Sequence, residues 1–378
     1  MTASDLLDLD TPSLLLDEQR MERNIRRLQS HLSVLRVPLR PHLKTAKSIE
    51  IAQRLMRDPS GPATVSTLQE AEAFADAGVR DLLYAVGIAP GKLPRVVALR
   101  RRGVDLSVIL DSLDQARAVA AACSEHRMRI PVLIEIDSDG HRAGVQPGDP
   151  LLIEVGRVLH EGGADLRGVM THAGGSYGSR NAAELENAAE QERAAVMRCA
   201  EELRAAGLPA PVVSVGSTPT AHFARRLDGV TEVRAGVFVF MDLVMAGIGV
   251  CSVDDIAISV LAAVIGHRPD KNQLLVDAGW MALSRDRGTA SQAVDWGYGR
   301  VCDIAGRPIG ELMVSQANQE HGIIESREPG SPVPALPIGT RVRILPNHAC
   351  ATAAQHLGYV VLRDGAPVAR WPRIPSGW

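Results

Sequence analysis

Along its first two thirds the chain alternates short apolar, β-branched runs with longer stretches whose apolar positions recur every three or four residues. Extended segments are predicted at 13–16, 37–43, 63–67, 81–86, 105–110, 130–137, 166–172, 212–216 and 233–240. PVLIEI at 131–136 is apolar nearly throughout, the pattern of a strand covered on both faces. Between these runs, LQEAEAFADA at 68–77 and the stretch 182–206 read as amphipathic helices. Gly78 and Gly207 stand where a helix end favours a residue that tolerates positive φ. With 13–16 set apart, eight strands remain, each but the last clearly followed by a helix. That repetition predicts a parallel (β/α)8 TIM-like barrel, with an open doubly wound sheet as the alternative.

After residue 251 the texture changes. Short β-rich runs at 257–265, 273–276, 299–302, 311–314, 341–344 and 359–362 are separated by Gly, Pro and Asp, and helical periodicity largely disappears. The expected organisation is an N-terminal strand segment, 1–20, joining a C-terminal all-β domain, 251–378, with the barrel at 21–250 between them. Residues 325–339, with four prolines, are the expected surface loop. The chain's 378 residues are 46% hydrophobic and 22% charged, enough for an ordinary core. Lys and Arg number 41 against 44 Asp and Glu, and no basic block occurs, which argues against a nucleic-acid-binding surface. No apolar run reaches the roughly 18 residues of a membrane span, and residues 1–10 lack the basic and apolar regions of a signal peptide. The five cysteines are scattered without a C-x-x-C pair, so neither a disulfide framework nor a zinc knuckle is expected, and a cytoplasmic setting fits.

Candidate chemistry gathers at the predicted strand ends. Lys44, in RPHLKTAKS at 40–48, would lie at the barrel mouth beside His42. Partial shielding there could lower its pKa and let the neutral amine form a Schiff base; a solvated surface lysine is the bland alternative. GSTPT at 216–220 and Arg234-Ala-Gly236 are turns of the kind that hold a phosphate at the last two strands of such barrels, although each alone is an ordinary capped turn. A phosphorylated cofactor that a lysine can bind covalently meets both demands, and pyridoxal 5′-phosphate is such a cofactor. Arg142 could pair with an anionic cofactor oxygen, His172 could pack on its ring, and Tyr177 could donate a hydrogen bond. In the β domain, NHACAT at 347–352 places His348 and Cys350 on one face if the chain there is extended. An imidazole beside a thiolate suits Zn²⁺ or a neighbouring transition metal with open positions for water or substrate; for a lone H-x-C, a buried histidine next to a buried free thiol is the commoner outcome. Arg285, Arg287 and His321 are candidates for substrate contact, the arginines for a dicarboxylate, with a solvated loop as the default reading.

Many collinear segments resemble the fold-type III pyridoxal-phosphate enzymes of the D-serine dehydratase and D-threonine aldolase group, relatives of the alanine racemases. They include TPSLLLD, RPHLKTAKS, STLQEAEAF, DGHRAGV, THAGGSY, GSTPT, EVRAGVFVF, VDAGWMALSRDRGT, NQEHG and RILPNHACAT. The resemblance implies Lys44 as the Schiff-base lysine and the base for the Cα proton. It implies Tyr177, Thr218, Gly236 and Val237 as cofactor contacts, Val237 through its backbone only, because the family often has Asn there. It implies His348 and Cys350 as ligands of a divalent metal, Zn²⁺ or else Mn²⁺ or Co²⁺, that assists departure of the β-hydroxyl. Aldolases of the group often carry Asp where this chain has Cys350, so the expected activity is dehydration of D-3-hydroxy amino acids. The expected conversion is D-threo-3-hydroxyaspartate to oxaloacetate and ammonia, with D-serine and D-threonine as further substrates. Aldol cleavage to glycine and an aldehyde is the runner-up, and a non-catalytic pyridoxal-phosphate carrier is the rival from another class. A homodimer is expected by the same resemblance, as is convergence of the lysine and the H-x-C pair on one substrate.

Overall fold

The computed structural model describes residues 5–378. The chain divides into two compact units, one of residues 28–236 with 376–378, the other of residues 5–27 with 237–375.

The first unit is a barrel. Its eight parallel strands are Leu39–Pro41, Ala63–Val65, Asp81–Gly87, Asp105–Leu110, Pro131–Ile136, Asp165–Thr171, Val212–Val215 and Glu232–Ala235. Each pairs with its neighbours in chain order, and the last pairs with the first. A parallel bridge from His42 to Thr64 joins the first strand's end to the second and closes the ring, which excludes the open doubly wound sheet. The strand Pro131–Ile136 is buried at every position, as its unbroken apolar run requires. Helix starts are set locally: Thr67, Ser112 and Asn181 each accept a backbone N–H of the first turn of the helix that follows. Leu83, Ile109, Leu133 and Met170, on four successive strands, form one apolar cluster. A polar network also runs inside the unit: Arg40 pairs with Glu232 and Asp81, both at 2.7 Å, and Glu232 accepts from Ser214 at 2.8 Å.

The second unit is built on a nine-stranded sheet. Ser13–Asp17 lies inside it, antiparallel to Ile258–Arg268 and parallel to Gly358–Arg363. Leu6, Leu9, Leu15, Leu261, Val360 and Leu362 pack together there. Two strands escape the sequence pattern, Gly322–Ser326 and Ala366–Pro372. Conversely, the apolar run 233–240 is a strand only to Ala235; Val237–Val239 form a buried 3-10 turn. Burial on all sides removes the periodicity that separates strand from turn. Three short helices, Leu243–Gly247, Trp280–Leu283 and Ala349–Ala353, interrupt the second unit. No helix among the described residues is long and apolar enough to cross a membrane.

Candidate active site

At the end of the first barrel strand the backbone is clamped on both sides. His42 N–H donates to Ala235 O and Leu43 N–H to Thr64 O, each at 2.8 Å. Lys44 follows directly and is exposed, its own N–H directed at His42 Nδ1 at 3.4 Å. Lys47 then turns with φ 46°, and its ammonium meets the buried Glu70 carboxylate at 3.0 Å. Gly236 closes against this loop: a Cβ there would stand 2.8 Å from Thr45 Oγ1 and 3.2 Å from His42 O. Only a glycine lets the end of the eighth strand lie this close to the lysine loop.

The neighbouring strand ends supply two neutral rings and an anchored turn. His172 Nδ1 lies 2.9 Å from Gly216 O and donates to it. Its pKa is lowered to about 3, first by burial and further by the nearby Lys44, Arg142 and Arg234 charges. Burial, then Lys44, Arg234 and His172, hold His42 well below the ordinary histidine range. Tyr177 lies with its ring centroid 6.3 Å from that of His172. Ser217 caps the short helix Thr218–Phe223 through Thr220 N–H, placing Thr218 at its first position. Gly216 has φ 145° and approaches the Arg234 carbonyl so closely that a Cβ would clash at 1.8 Å. Arg234 is buried and donates to Ser214 Oγ at 2.8 Å and to the Thr171 carbonyl. Arg142 is half exposed, 3.7 Å from the buried Glu135 carboxylate. Burial raises the pKa of Glu135, which the Arg142 charge partly offsets.

A second constellation lies within the β unit. His348 is not in extended chain with Cys350: it caps the helix Ala349–Ala353, and Cys350 sits in that helix's first turn. The premise of alternating side chains therefore fails, yet the imidazole and the thiol are hydrogen-bonded side by side. His348 Nδ1 lies 2.5 Å from Asp286 Oδ2. Burial by itself would lower the His348 pKa, but Asp286, Cys350 and Asp242 push it up to about 11. Asp242 is buried and accepts from Ala349 N–H and Met245 N–H, both at 2.9 Å, so it fixes the helix start beside His348. Asn347 joins the two loops by accepting from the Thr289 hydroxyl at 2.8 Å and donating to the Gly297 carbonyl. Arg285 lies over the Trp280 ring at 4.2 Å, whereas Arg287 is paired with Asp295 at 2.6 Å. The turn 318–321 carries the exposed His321 and accepts from Trp280 N–H through Asn318 O at 2.8 Å. Among the described residues no three His, Cys, Asp or Glu side chains are grouped to enclose a metal ion.

Residues 16–244 match the alanine racemase N-terminal domain, and residues 257–362 match the serine dehydratase domain. The chain belongs to the fold-type III, pyridoxal-phosphate-dependent D-serine dehydratase and D-threonine aldolase family. Within that family it is 54% identical over 377 residues to D-threo-3-hydroxyaspartate dehydratase of Delftia sp. (strain HT23), covering 99% of each chain. The solved structure of that enzyme superposes with a TM-score of 0.97, covering 100% of both chains. The D-serine dehydratase of Dictyostelium discoideum is 30% identical over 95% of each chain. A D-threonine aldolase structure from Filomicrobium marinum is 27% identical with a TM-score of 0.83, over 99% of this chain and 98% of its own. Solved variants of D-threo-3-hydroxyaspartate dehydratase replace a histidine and a cysteine two positions apart, and the cysteine variant is described as a metal-free form. That spacing equals the spacing of His348 and Cys350. The family fold, a parallel eight-stranded barrel with a mainly antiparallel β domain, is the one the strand pattern predicts.

Within the barrel unit the structure brings Lys44, His172, Tyr177, Thr218 and Gly236 to strand ends on one side of the sheet. Val237 begins the other unit, buried in its 3-10 turn. Several residues of these two constellations carry no sequence signal of their own. Asp286 lies 62 positions from His348, between two arginines that draw attention by charge. Arg234 and Glu135 sit within strand patterns, where a charge in an apolar run is the cue.

Proposed function

We propose that the chain is a pyridoxal-phosphate- and divalent-metal-dependent dehydratase that converts D-threo-3-hydroxyaspartate to oxaloacetate and ammonia. What carries the reading is end-to-end 54% identity to a dehydratase in a chain that also pairs His348 with Cys350. The barrel residues fit the cofactor. Lys44 offers an exposed amine at a strand end, and the close backbone approaches at Gly216 and Gly236 draw neighbouring strand ends together beside it. Two uncharged imidazoles and a buried arginine lie beside it. The β-unit donors fit a cation, since His348 and Cys350 are adjacent and Asp286 orients the imidazole through its Nδ1. An imidazole and a thiolate favour Zn²⁺ over Mn²⁺ or Co²⁺.

When bound, the cofactor supplies an aldehyde and an electron sink, and the metal supplies a Lewis acid for a departing hydroxyl. Lys44 holds the cofactor and is the group that moves the Cα proton. His172 keeps its Nδ1 proton on Gly216 O and so presents a neutral ring. Asp286 fixes the imidazole of His348 by its Nδ1, as a carboxylate outside the ligand shell does in metal sites. Arg285, with its guanidinium face on Trp280, is the candidate for the substrate's second carboxylate. The same reading takes the chain as a cytoplasmic homodimer, the former supported by five cysteines of which none forms a disulfide.

Product analysis tests the proposal. Incubation with D-threo-3-hydroxyaspartate should release ammonia and oxaloacetate in equal amounts, whereas glycine and glyoxylate would overturn dehydration in favour of aldol cleavage. Borohydride reduction should fix the pyridoxyl group on the peptide holding Lys44, and a label elsewhere would refute its role.

A further inference from the structure

The helix Ala182–Ala205 buries Leu185, Ala189, Glu192, Val196, Cys199 and Leu203 along one face. A carboxylate stands in that stripe where an apolar side chain would bury without penalty. Glu192 is 2% exposed, a depth at which an unsatisfied carboxylate is strongly penalised. It is fully satisfied instead. One oxygen, Oε1, accepts from Ala173 N–H at 3.1 Å and from Gly216 N–H at 2.9 Å, and Thr220 adds a side-chain hydrogen bond.

These donors belong to two different barrel loops. Ala173 follows His172 after the sixth strand, and Gly216 opens the turn that carries Thr218 after the seventh. The loops touch each other through Ser176 and Ser217, whose hydroxyls are 2.9 Å apart. Ser176 in turn donates to Ala173 O at 2.7 Å, and Ser217 N–H donates to Thr220 at 3.1 Å. His172 closes the loop-to-loop link by donating to Gly216 O. Beside this network lies a cleft of about 300 Å³ lined in part by Ser138, Asp139, Ser176, Ser179 and Glu192. Close packing therefore does not hold the loops on that side, and the carboxylate shares the tether with the Ser176–Ser217 and His172–Gly216 links.

We propose that Glu192 is a positioning residue for cofactor binding, a single buried oxygen that sets the loop of His172 and the loop of Thr218 in register. The inference rests on the reading that these loops hold pyridoxal phosphate. It assigns Glu192 no contact with the cofactor and no proton to move. Its acceptor oxygen is what matters, so Glu192→Gln, which keeps a carbonyl oxygen, should restore what Glu192→Ala loses.

The test is a titration of cofactor-stripped full-length protein with pyridoxal phosphate, followed by absorbance and protein fluorescence. Borohydride-fixed cofactor on Lys44 is counted by mass. Glu192→Ala should bind roughly tenfold or more weakly, the loss of two buried hydrogen bonds at the loops, and Glu192→Gln should stay within about threefold of wild type. Glu192→Asp, one methylene short, should weaken binding like the Ala variant and keeps the test decisive if Ala does not fold. Unchanged affinity in a folded Ala or Asp variant would overturn the proposal. So would an equal loss in Gln and Ala, or a fall in apo-protein Tm alone with no change in affinity. Wild-type protein that takes up no pyridoxal phosphate would instead overturn the functional reading, and this one with it.

Discussion

The barrel and the β unit each hold histidines in charged surroundings, and the surroundings have opposite sign. At the barrel rim His42 and His172 sit among Lys44, Arg142 and Arg234, and both are held neutral. In the β unit His348 sits among Asp286, Asp242 and Cys350, and without a cation it is held protonated. The same side chain thus reports two complementary fields. At the rim burial acts first and the cations add to it, whereas in the β unit the carboxylates and the thiol outweigh burial.

Removing the cation at the rim should break the comparison most severely. Lys44→Ala should lower turnover by roughly 10⁴-fold, the upper range for loss of a positioned base, and should abolish borohydride labelling. Labelling that persists in the variant would show another amine in that role. The β-unit counterpart comes next. Cys350→Ala or His348→Ala should strip the metal and lower turnover by roughly 10³-fold, the several kcal/mol a Lewis acid contributes, while cofactor absorbance stays. Chelated wild-type protein should match these variants; full turnover after chelation would refute the metal's part. Asp286→Asn should be milder, weakening metal affinity by about 10- to 100-fold, as loss of a carboxylate behind a ligand does. Metal content at limiting metal is its readout.

Most of the barrel was legible because its strands are buried on both faces and leave unbroken apolar runs, as at Pro131–Ile136. Legibility failed where burial or exposure erased periodicity. Val237–Val239 are wholly buried yet turn, and Ala366–Pro372, at the sheet's edge, is bounded by proline and mostly exposed. Lys44 and the H-x-C pair were readable as motifs, since their chemistry is compressed into a few positions. Asp286 and Glu192 were not. Each acts through a partner distant in sequence, 62 and at least 19 positions away, and no local spacing encodes such a meeting. The local conformation around Cys350 was misread as extended, because a helix of five residues, Ala349–Ala353, is too short to display a period.

A smaller effect sharpens the difference between the two arginines that the sequence presents as equivalents. Arg287 is tied to Asp295, whereas Arg285 rests on the Trp280 face. Arg285→Ala should raise KM for D-threo-3-hydroxyaspartate by about tenfold, one charge-assisted hydrogen bond, and leave KM for D-serine nearly unchanged. Arg287→Ala should not discriminate between the two substrates. Equal effects of Arg285→Ala on both would remove Arg285 from selectivity.

The smallest expected effect tests directly whether burial and the rim charges hold His172 neutral. The folded-state pKa of His172 is about 3, below the ordinary value of 6.5. Its neutral state therefore stabilises the fold fully above about pH 6.5, and that contribution is lost as pH falls through about 3, because the unfolded chain takes up the proton first. Glutamine at this position cannot protonate and still offers an N–H to Gly216 O. The unfolding free energy of His172→Gln should therefore fall less steeply between about pH 6 and pH 4, by up to about 1.4 kcal/mol per pH unit. His42, shifted in the same direction, should leave the variant a residual slope of the same sign. Parallel pH profiles for variant and wild type would mean that His172 is not held neutral, and the contrast with His348 would lose one of its two sides.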